Sequence, residues 1–414
     1  MDKKRKITVG VLAHVDAGKT TLCEAMLYLA GKIKNLGRVD HRDSYLDTHR
    51  LERERGITIF TKQAVMELPQ TVLTLLDTPG HVDFSAETER TLRVLDYAIL
   101  IISGTDGVQA HTETLWRLLE RYEVPALLFI TKRDLPGMSE RALTEQLRER
   151  LFDGCVDFSA PREEWEEAAA LCSETAMEEY LETGALSPDT VAGLIRERKL
   201  CPCFFGSGLR LEGVDALLTA LDSLTREGRY AAEFAAPVFK IGRDGQGGRM
   251  SYLKITGGSL RVRSVIAYRG ENGERLEEKI TQLRVYSGAR FETREEVFPG
   301  EICAALGLSA TFAGQGLGAE PDADSPLLEP VMSYRLLLPA DCDARLLYPK
   351  LRQLAEEDPQ LHLLWNERSR EMSVLLMGRV QAEVLCRLVQ DRFDVAVTLD
   401  TGRVLYRETI ADRV

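Results

Sequence analysis

Residues 5–21 read RKITVGVLAHVDAGKTT. A mainly apolar run rich in β-branched residues, from Ile7 to Ala13, gives way at once to small residues, Lys19 and two threonines. The run predicts a strand buried on both faces. Residues 13–20 have the spacing of a phosphate-binding loop, with Ala13 where that pattern has its first glycine. Gly18 lets the backbone approach an anion, Lys19 reaches outer phosphates, and Thr20 offers a hydroxyl to a divalent cation. The next stretch, TTLCEAMLYLAG, predicts a helix with Leu22, Ala25, Met26 and Leu29 on one face. Its N-terminus adds partial positive charge at the phosphates. A glycine turn between strand and helix has the same spacing by itself; the strand–loop–helix setting favours a nucleotide site.

Four further segments extend that reading. LLDTPGH, 75–81, is an apolar strand ending in Asp77, a carboxylate placed to hold Mg²⁺ through water opposite Thr20. Gly80 has an N–H for a γ-phosphate. RGITI, 55–59, carries Thr58, a second hydroxyl for the metal, in a segment expected to be ordered only while the γ-phosphate is present. LLFITKRD, 127–134, is a buried strand followed by Lys132, whose stem can lie along a base, and Asp134, whose carboxylate can accept from the N1–H and N2 amino edge of guanine. Adenine lacks that pair of donors, and unmet buried acceptors would reject it. CFFGSG, 203–208, ends a strand where a backbone N–H can meet the guanine O6. Taken singly, each match could be a surface loop; their order along a βα alternation is the signal. His81 falls beside the γ-phosphate, where the attacking water must be held, and is the candidate catalytic residue. His14 lies in the loop, and His41, His49, His111 and His362 read as surface residues.

The totals agree with a chain of two to four soluble domains. There are 414 residues, 44% hydrophobic and 29% charged. No apolar run is long enough to span a bilayer. The basic start followed by a short apolar stretch has no small-residue cleavage site, so it reads as a first strand, and Lys3 to Lys6 as a solvated terminus. The eight cysteines form no regular framework. Cys201-Pro202-Cys203 is too tight for a zinc pair, so buried reduced thiols of a cytosolic protein are expected. A net charge of −12 means that the surface as a whole does not attract nucleic acid.

AHVDAGKTT, LERERGITI, DTPGHVDFSAETERTLRVLDYAILIISGTDGVQAHTETLWR and TKRD together resemble the translational GTPases of the elongation factor G group. Within it they are most similar to the tetracycline-resistance ribosomal protection proteins. VDHRDSYLDTHRLERERGITI is similar to the switch region of that branch. The 71 residues between Asp134 and Gly206, with acidic segments such as REEWEEAAALC, are short where elongation factor G carries a larger insertion. The resemblance implies a cytoplasmic, monomeric enzyme that binds GTP or GDP with Mg²⁺ and hydrolyses GTP on the ribosome, meeting rRNA and ribosomal proteins but neither DNA nor membrane. By position, Asp16 resembles a loop aspartate associated with a monovalent cation such as K⁺. Val15 and Ile57 resemble an apolar gate before His81. Lys19, Thr20, Thr58 and Asp77 match phosphate and Mg²⁺ positions, and Lys132, Asp134 and Ser207 match the guanine site. Ala17, Gly18, Thr21, Gly80, Thr131, Gly208 and Leu209 complete the expected nucleotide contacts. Two departures stand out: Thr131 replaces the usual Asn that ties base loop to phosphate loop, and Gly208 replaces the usual Ala. Both are expected to loosen nucleotide binding, while the retained Asp134 keeps the expected preference for GTP over ATP.

The expected architecture is an α/β P-loop GTPase domain over 1–230, an antiparallel β-barrel over 235–320 and an α+β ferredoxin-like domain over 326–414. The barrel follows from short β-like runs between turns such as GQGG, TGG and GENG. RVYSGARFETREEVFPGEICAALGL resembles the second domain of the family, which contacts the small ribosomal subunit. Arg261, Arg263 and Arg269 could touch rRNA or form a solvated strand face. The last region reads β-α-β-β-α-β, with Pro349 a bend or break in its first helix and DVAVTL its last strand. The family implies further domains beyond Val414, so the chain is expected to be a piece of a longer protein or a natural short form. Three functions stay open: a ribosomal protection GTPase, a translocation factor, and a nucleotide-regulated binding module without useful turnover. Decay signalled by Thr131 and Gly208 is a fourth reading.

Overall fold

The computed structural model describes residues 4–37, 44–46, 50–137, 139–368 and 371–405. Contacts divide it into two units, residues 1–81 with 87–323, and residues 82–86 with 324–414. His41 and His49, and part of the switch stretch, lie outside the described residues.

The first unit opens with a seven-stranded sheet: β1 (Arg5–Ala13), β2 (Lys62–Glu67), β3 (Thr71–Asp77), β4 (Tyr97–Ser103), β5 (Ala126–Thr131), β6 (Cys155–Asp157) and β7 (Cys201–Phe205). Their order is β2-β3-β1-β4-β5-β7-β6. β2 runs antiparallel to β3 and the other pairs are parallel. Every residue of β4 and β5 is buried, which is why these strands read as continuous apolar runs. The helices are α1 (Lys19–Leu29), α2 (Arg50–Arg55), α3 (Ser85–Leu92), α4 (Ala110–Arg121), α5 (Glu140–Arg150), α6 (Arg162–Ala170), α7 (Glu174–Thr183), α8 (Pro188–Arg196) and α9 (Val214–Leu224). Ile7, Val9 and Val11 share one core with Leu22 and Met26 of α1 and Leu217 of α9. Leu29, expected on the buried face of α1, is exposed in its last turn, although Ala30 and Ile33 just beyond it pack against the same core.

The basic start is not a solvated terminus. Lys3 lies outside the described residues, but Arg5 and Lys6 belong to β1, paired with Thr71 and Val72. Arg5 donates to the Thr225 carbonyl at 2.7 Å, and Lys6 pairs with Glu301 at 2.9 Å. A strand needs its end residues for the ladder, and here the charges find partners across the unit.

Ten antiparallel strands follow: β8 (Ala235–Arg243), β9 (Arg249–Lys254), β10 (Leu260–Arg261), β11 (Val265–Arg269), β12 (Arg275–Lys279), β13 (Gln282–Ser287), β14 (Arg290–Arg294), β15 (Glu296–Val297), β16 (Ile302–Leu306) and β17 (Gly316–Gly318). Val238, Ile241, Leu253, Leu283 and Cys303 fill their core. Lys254, almost fully buried, bonds Asp96 at 2.7 Å and the Val94 carbonyl at 3.0 Å, fixing this β-domain to the sheet domain. Arg261, Arg263 and Arg269 lie on its surface, and Arg261 pairs with Glu296 at 2.9 Å.

The second unit contains β18 (Met332–Leu337), α10 (Ala344–Glu357), β19 (Leu364–Asn366), β20 (Glu371–Leu376), α11 (Arg379–Phe393), β21 (Thr398–Leu399) and β22 (Arg403–Val404). The sheet order β19-β20-β18-β21, with two helices, is the split βαβ arrangement expected from the sequence. Pro349 neither ends nor interrupts α10; it sits inside the helix, where only one ladder bond is forfeited. DVAVTL forms strand only at Thr398–Leu399, because Asp394 takes the left-handed conformation (φ 56°) that closes α11. In this unit the Asp83 carboxylate accepts the N–H groups of Val380 (2.8 Å) and Gln381 (3.1 Å) at the start of α11. Among the described residues no helix is long and apolar enough to cross a membrane.

Candidate nucleotide site

The parallel strands of the first unit end on one side of the sheet, and the sequence-predicted residues follow those ends: the loop after β1, Asp77 at the end of β3, Thr131 at the end of β5, and Ser207 after β7. Ligands of open α/β sheets bind there, where the strand order reverses about β1. A cavity of about 230 Å³ occupies the place. His14, Val15, Asp16, Gly18, Lys19, Thr20, Thr21, Gly56, Ile57, Thr58, Gly80 and His81 line it. Loop, switch segment and metal strand therefore converge, although they are distant in sequence.

Gly18 caps α1 at φ 90°, a conformation that L side chains rarely adopt, and no side chain caps the helix. Its first N–H groups are thus open to an anion. Gly80 sits so close to the loop that an added Cβ would lie 3.3 Å from the Ala13 carbonyl oxygen and 3.8 Å from Lys19 Cε. Lys19 is buried, donates to Thr58 Oγ1 at 3.0 Å and is ion-paired with Asp77. Burial pushes the Asp77 carboxyl above the usual carboxylate range, against the opposing pull of Lys19. Asp77 Oδ2 is buried without a hydrogen-bond partner among the described residues. A buried carboxylate oxygen without a partner among the described residues, with Thr20 and Thr58 lining the cavity at Lys19, fits a hard cation with oxygen ligands.

The base half adjoins this cavity. Thr131 Oγ1 donates to the Ala17 carbonyl at 2.7 Å, so the tie between base loop and phosphate loop is made by the hydroxyl in place of an amide. Nor does Gly208 leave a gap. A Cβ there would come within 3.2 Å of Leu22 N and 3.3 Å of Thr21 C, so the loop already lies hard against α1. At Thr131 the loop-to-loop tie is thus present, and at Gly208 the backbone is closely packed on α1. The Gly206 N–H donates to the Ile130 carbonyl at 2.9 Å and its carbonyl accepts from Arg133 N at 3.1 Å, joining the two base loops. Lys132, in the left-handed region at φ 62°, lies 3.5 Å from Asp106, and Asp134 lies 3.5 Å from Arg210. Ser207 and Gly208 are buried, whereas Leu209 is 51% exposed.

His81 lines the cavity, as expected, whereas His111 is not on the surface. It is buried in the first turn of α4, its ring edge-on to His14 with centroids 5.7 Å apart. Burial, with the nearby His14 and His81, pushes the His111 imidazole down to about 4, so it is neutral at physiological pH. His362 is exposed, as read. All eight cysteines are free thiols, five of them buried, including Cys201 and Cys203. Two acidic residues carry more of the site than the sequence revealed: Glu52 and Glu87, both buried, receive backbone N–H groups of the segment just after Thr58. In the sequence Glu52 is only one of two acidic residues alternating with arginines in LERER, and Glu87 carries no such mark.

A glycine turn opening α1, the buried Asp77 and Thr58, and the loops after β5 and β7, all at the strand ends of one mostly parallel sheet, form the arrangement of a P-loop GTPase, a GTP hydrolase that binds GTP and GDP with Mg²⁺. Residues 4–227 match the family "Elongation factor Tu GTP binding domain", more than half of the chain, and residues 233–319 match "Elongation factor G domain 2". A solved structure of a protein from Thermus thermophilus is similar at 25% identity with a TM-score of 0.83, over 96% of this chain and 68% of that one. The chain belongs to the translational GTPases, of the elongation factor G type.

Proposed function

We propose that this translational GTPase acts by ribosomal protection: it binds the ribosome, the ribosome brings His81 to bear on bound GTP, and hydrolysis lets the protein leave after tetracycline has been released. The observation that carries the hydrolytic part is that His81 shares one cavity with Lys19, Thr20, Thr58 and Gly80. The ribosomal protection part is supported by the switch stretch and by the short span between Asp134 and Gly206. Lys19 and the first N–H groups of α1 hold the phosphates, with Asp16 and Ala17 shaping the loop. Thr20, Thr58 and Asp77 would hold Mg²⁺, which when bound supplies positive charge to the phosphate oxygens. His81 holds the attacking water by a hydrogen bond, and the Gly80 N–H faces the γ-phosphate. Val15 and Ile57 flank the approach of His81 and exclude bulk water. Lys132, Asp134, Ser207 and the backbone at Gly208 and Leu209 read the guanine. A monovalent cation beside Asp16 belongs to the same reading, as do a cytoplasmic monomer and three domains over 1–230, 235–320 and 326–414.

The match to elongation factor G domain 2 favours translocation as the second reading. The test has two arms. His81→Ala should abolish ribosome-stimulated GTP hydrolysis while leaving GTP binding intact; an unchanged stimulated rate would refute the role of His81 and argue for a binding module. Release of labelled tetracycline from ribosomes on addition of the protein and GTP would support protection, whereas movement of peptidyl-tRNA without drug release would support translocation.

A further inference from the structure

The segment that carries Thr58 is held by a side chain that no nucleotide contact requires. Glu52 lies in α2, six residues before Thr58, and is 1% exposed. Its Oε1 accepts the N–H of Ile59 at 3.0 Å and of Phe60 at 3.0 Å. Its Oε2 pairs with Lys62 at 3.1 Å. Lys62 opens β2 directly opposite Asp77 in the register with β3. One carboxylate therefore links α2, the two peptide groups following Thr58, and the strand beside the metal-site aspartate. Thr58 itself is 5% exposed, with its hydroxyl at Lys19.

We propose that Glu52 is a positioning residue that holds Thr58 in its metal-binding place and so sets the preference of the site for the triphosphate over the diphosphate. The proposal rests on the GTPase reading of the cavity and deepens it. A buried carboxylate accepting two adjacent N–H groups fixes two successive peptide planes, which leaves Thr58, the residue just before them, little freedom to swing away. A switch segment is ordered through γ-phosphate and metal contacts. A device that pre-orders it lowers the entropy lost on binding GTP and leaves GDP, which does not engage the segment, unaffected.

The test uses the full chain and titrates wild type, Glu52→Ala and Glu52→Gln with fluorescent GTPγS and GDP at a series of Mg²⁺ concentrations. Glu52→Ala should weaken GTPγS binding by about tenfold or more and leave GDP binding within about twofold, since charge-assisted hydrogen bonds of this kind exceed neutral ones. The Mg²⁺ concentration for half-maximal GTPγS binding should rise, with no such rise for GDP. Glu52→Gln keeps one oxygen for the two N–H groups but turns an amide toward Lys62, so a smaller loss, again confined to GTPγS, is expected. Retained GDP binding serves as the control for folding. If Glu52→Ala fails to fold, Glu52→Gln alone decides: equal loss of both nucleotides, or of neither, overturns the proposal. The same outcomes in Glu52→Ala overturn it. Failure of the GTPase reading itself looks different, because wild type would then bind neither nucleotide or would not distinguish GTP from ATP.

Discussion

Replacing Lys240 by methionine should destabilise the first unit in a pH-dependent way. Lys240, on β8, places its ammonium 2.7 Å from Glu87 Oε1, and Arg90 lies 2.9 Å from Glu87 Oε2. The Thr61 N–H donates to the same carboxylate at 3.2 Å. Burial alone would raise the Glu87 pKa; Lys240 and then Arg90 more than reverse this, holding it at about 2 against an ordinary 4.5. Because the folded value lies below the unfolded one, the contribution is fully present above about 4.5 and is lost as pH falls through about 2. A shift of that size corresponds to about 3 kcal/mol at neutral pH, shared between Lys240 and Arg90. Methionine keeps most of the stem and removes one of two cations, so the expected loss is about 2 kcal/mol at pH 7. About half of the Glu87 contribution should be gone by pH 3, and the difference between Lys240→Met and wild type should shrink with it. Urea titration of both proteins by circular dichroism at pH 7 and pH 3, repeated in the Glu87→Gln background, isolates the pair. The reasoning fails if the penalty is below about 0.5 kcal/mol at pH 7, is equally large at pH 3, or survives undiminished in Glu87→Gln.

Other outcomes are fixed by the same geometry. Thr131→Val removes the donor to the Ala17 carbonyl and should speed GDP dissociation about fivefold, the equivalent of about 1 kcal/mol, in stopped-flow chase experiments. Gly208→Ala, which would restore the residue usual in the family, should weaken nucleotide binding by calorimetry, because its Cβ meets the backbone of Leu22 at 3.2 Å. His111 titrates near 4 in the folded protein against 6.5 unfolded, so the unfolded chain takes the proton first and stability falls as pH drops from about 6.5 toward 4. His111→Asn should flatten the thermal midpoint across that window, which lies above the Glu87 window and is separable from it.

The strand, turn and helix start at 5–29, the loops after β5 and β7 and the strand ending in Asp77 were legible because each is local: a strand that reads as an apolar run, a turn made of residues suited to it, a helix start. Their convergence followed from one topological rule about strand ends, not from any pairwise signal. What the sequence hid is long-range. His111 is an exception: it stands four, seven and eight residues before Leu115, Leu118 and Leu119 on the buried face of α4, so its burial was legible in the helical spacing, and only its edge-on contact with His14 is long-range. The Thr131 substitution looked like a loss because an amide was missing, yet a hydroxyl on β5 lies close enough to the loop to make the bond. Lys6 and Arg5 looked like a tail because their partners, Glu301 and Thr225, come more than two hundred residues later. Glu52 and Glu87 were hidden for a related reason: acidic residues on short helices are usually solvated, and nothing local says that these two turn inward.

Those two carboxylates act on successive peptide groups. Glu52 takes the N–H of Ile59 and Phe60, and Glu87 takes that of Thr61, so three consecutive donors behind Thr58 end on buried acids from different helices. Phe60 lies between them with Lys62 at 5.6 Å and Lys240 at 5.5 Å from its ring centroid, each lysine also the ion-pair partner of one acid. The anchor at Glu52 closes within the sheet domain, whereas the anchor at Glu87 runs through Lys240 to the β-domain. Removing Lys240 should therefore loosen Thr61 and the β-domain together while leaving Ile59 and Phe60 held, and removing Glu52 should do the reverse. Amide hydrogen exchange resolves the two. In Lys240→Met, protection should fall at Thr61 and in β8 but not at Ile59. In Glu52→Ala it should fall at Ile59 and Phe60, with β8 unchanged. Loss of protection across all three amides in both variants would mean that the segment is released as one piece and that the two acids are a single anchor.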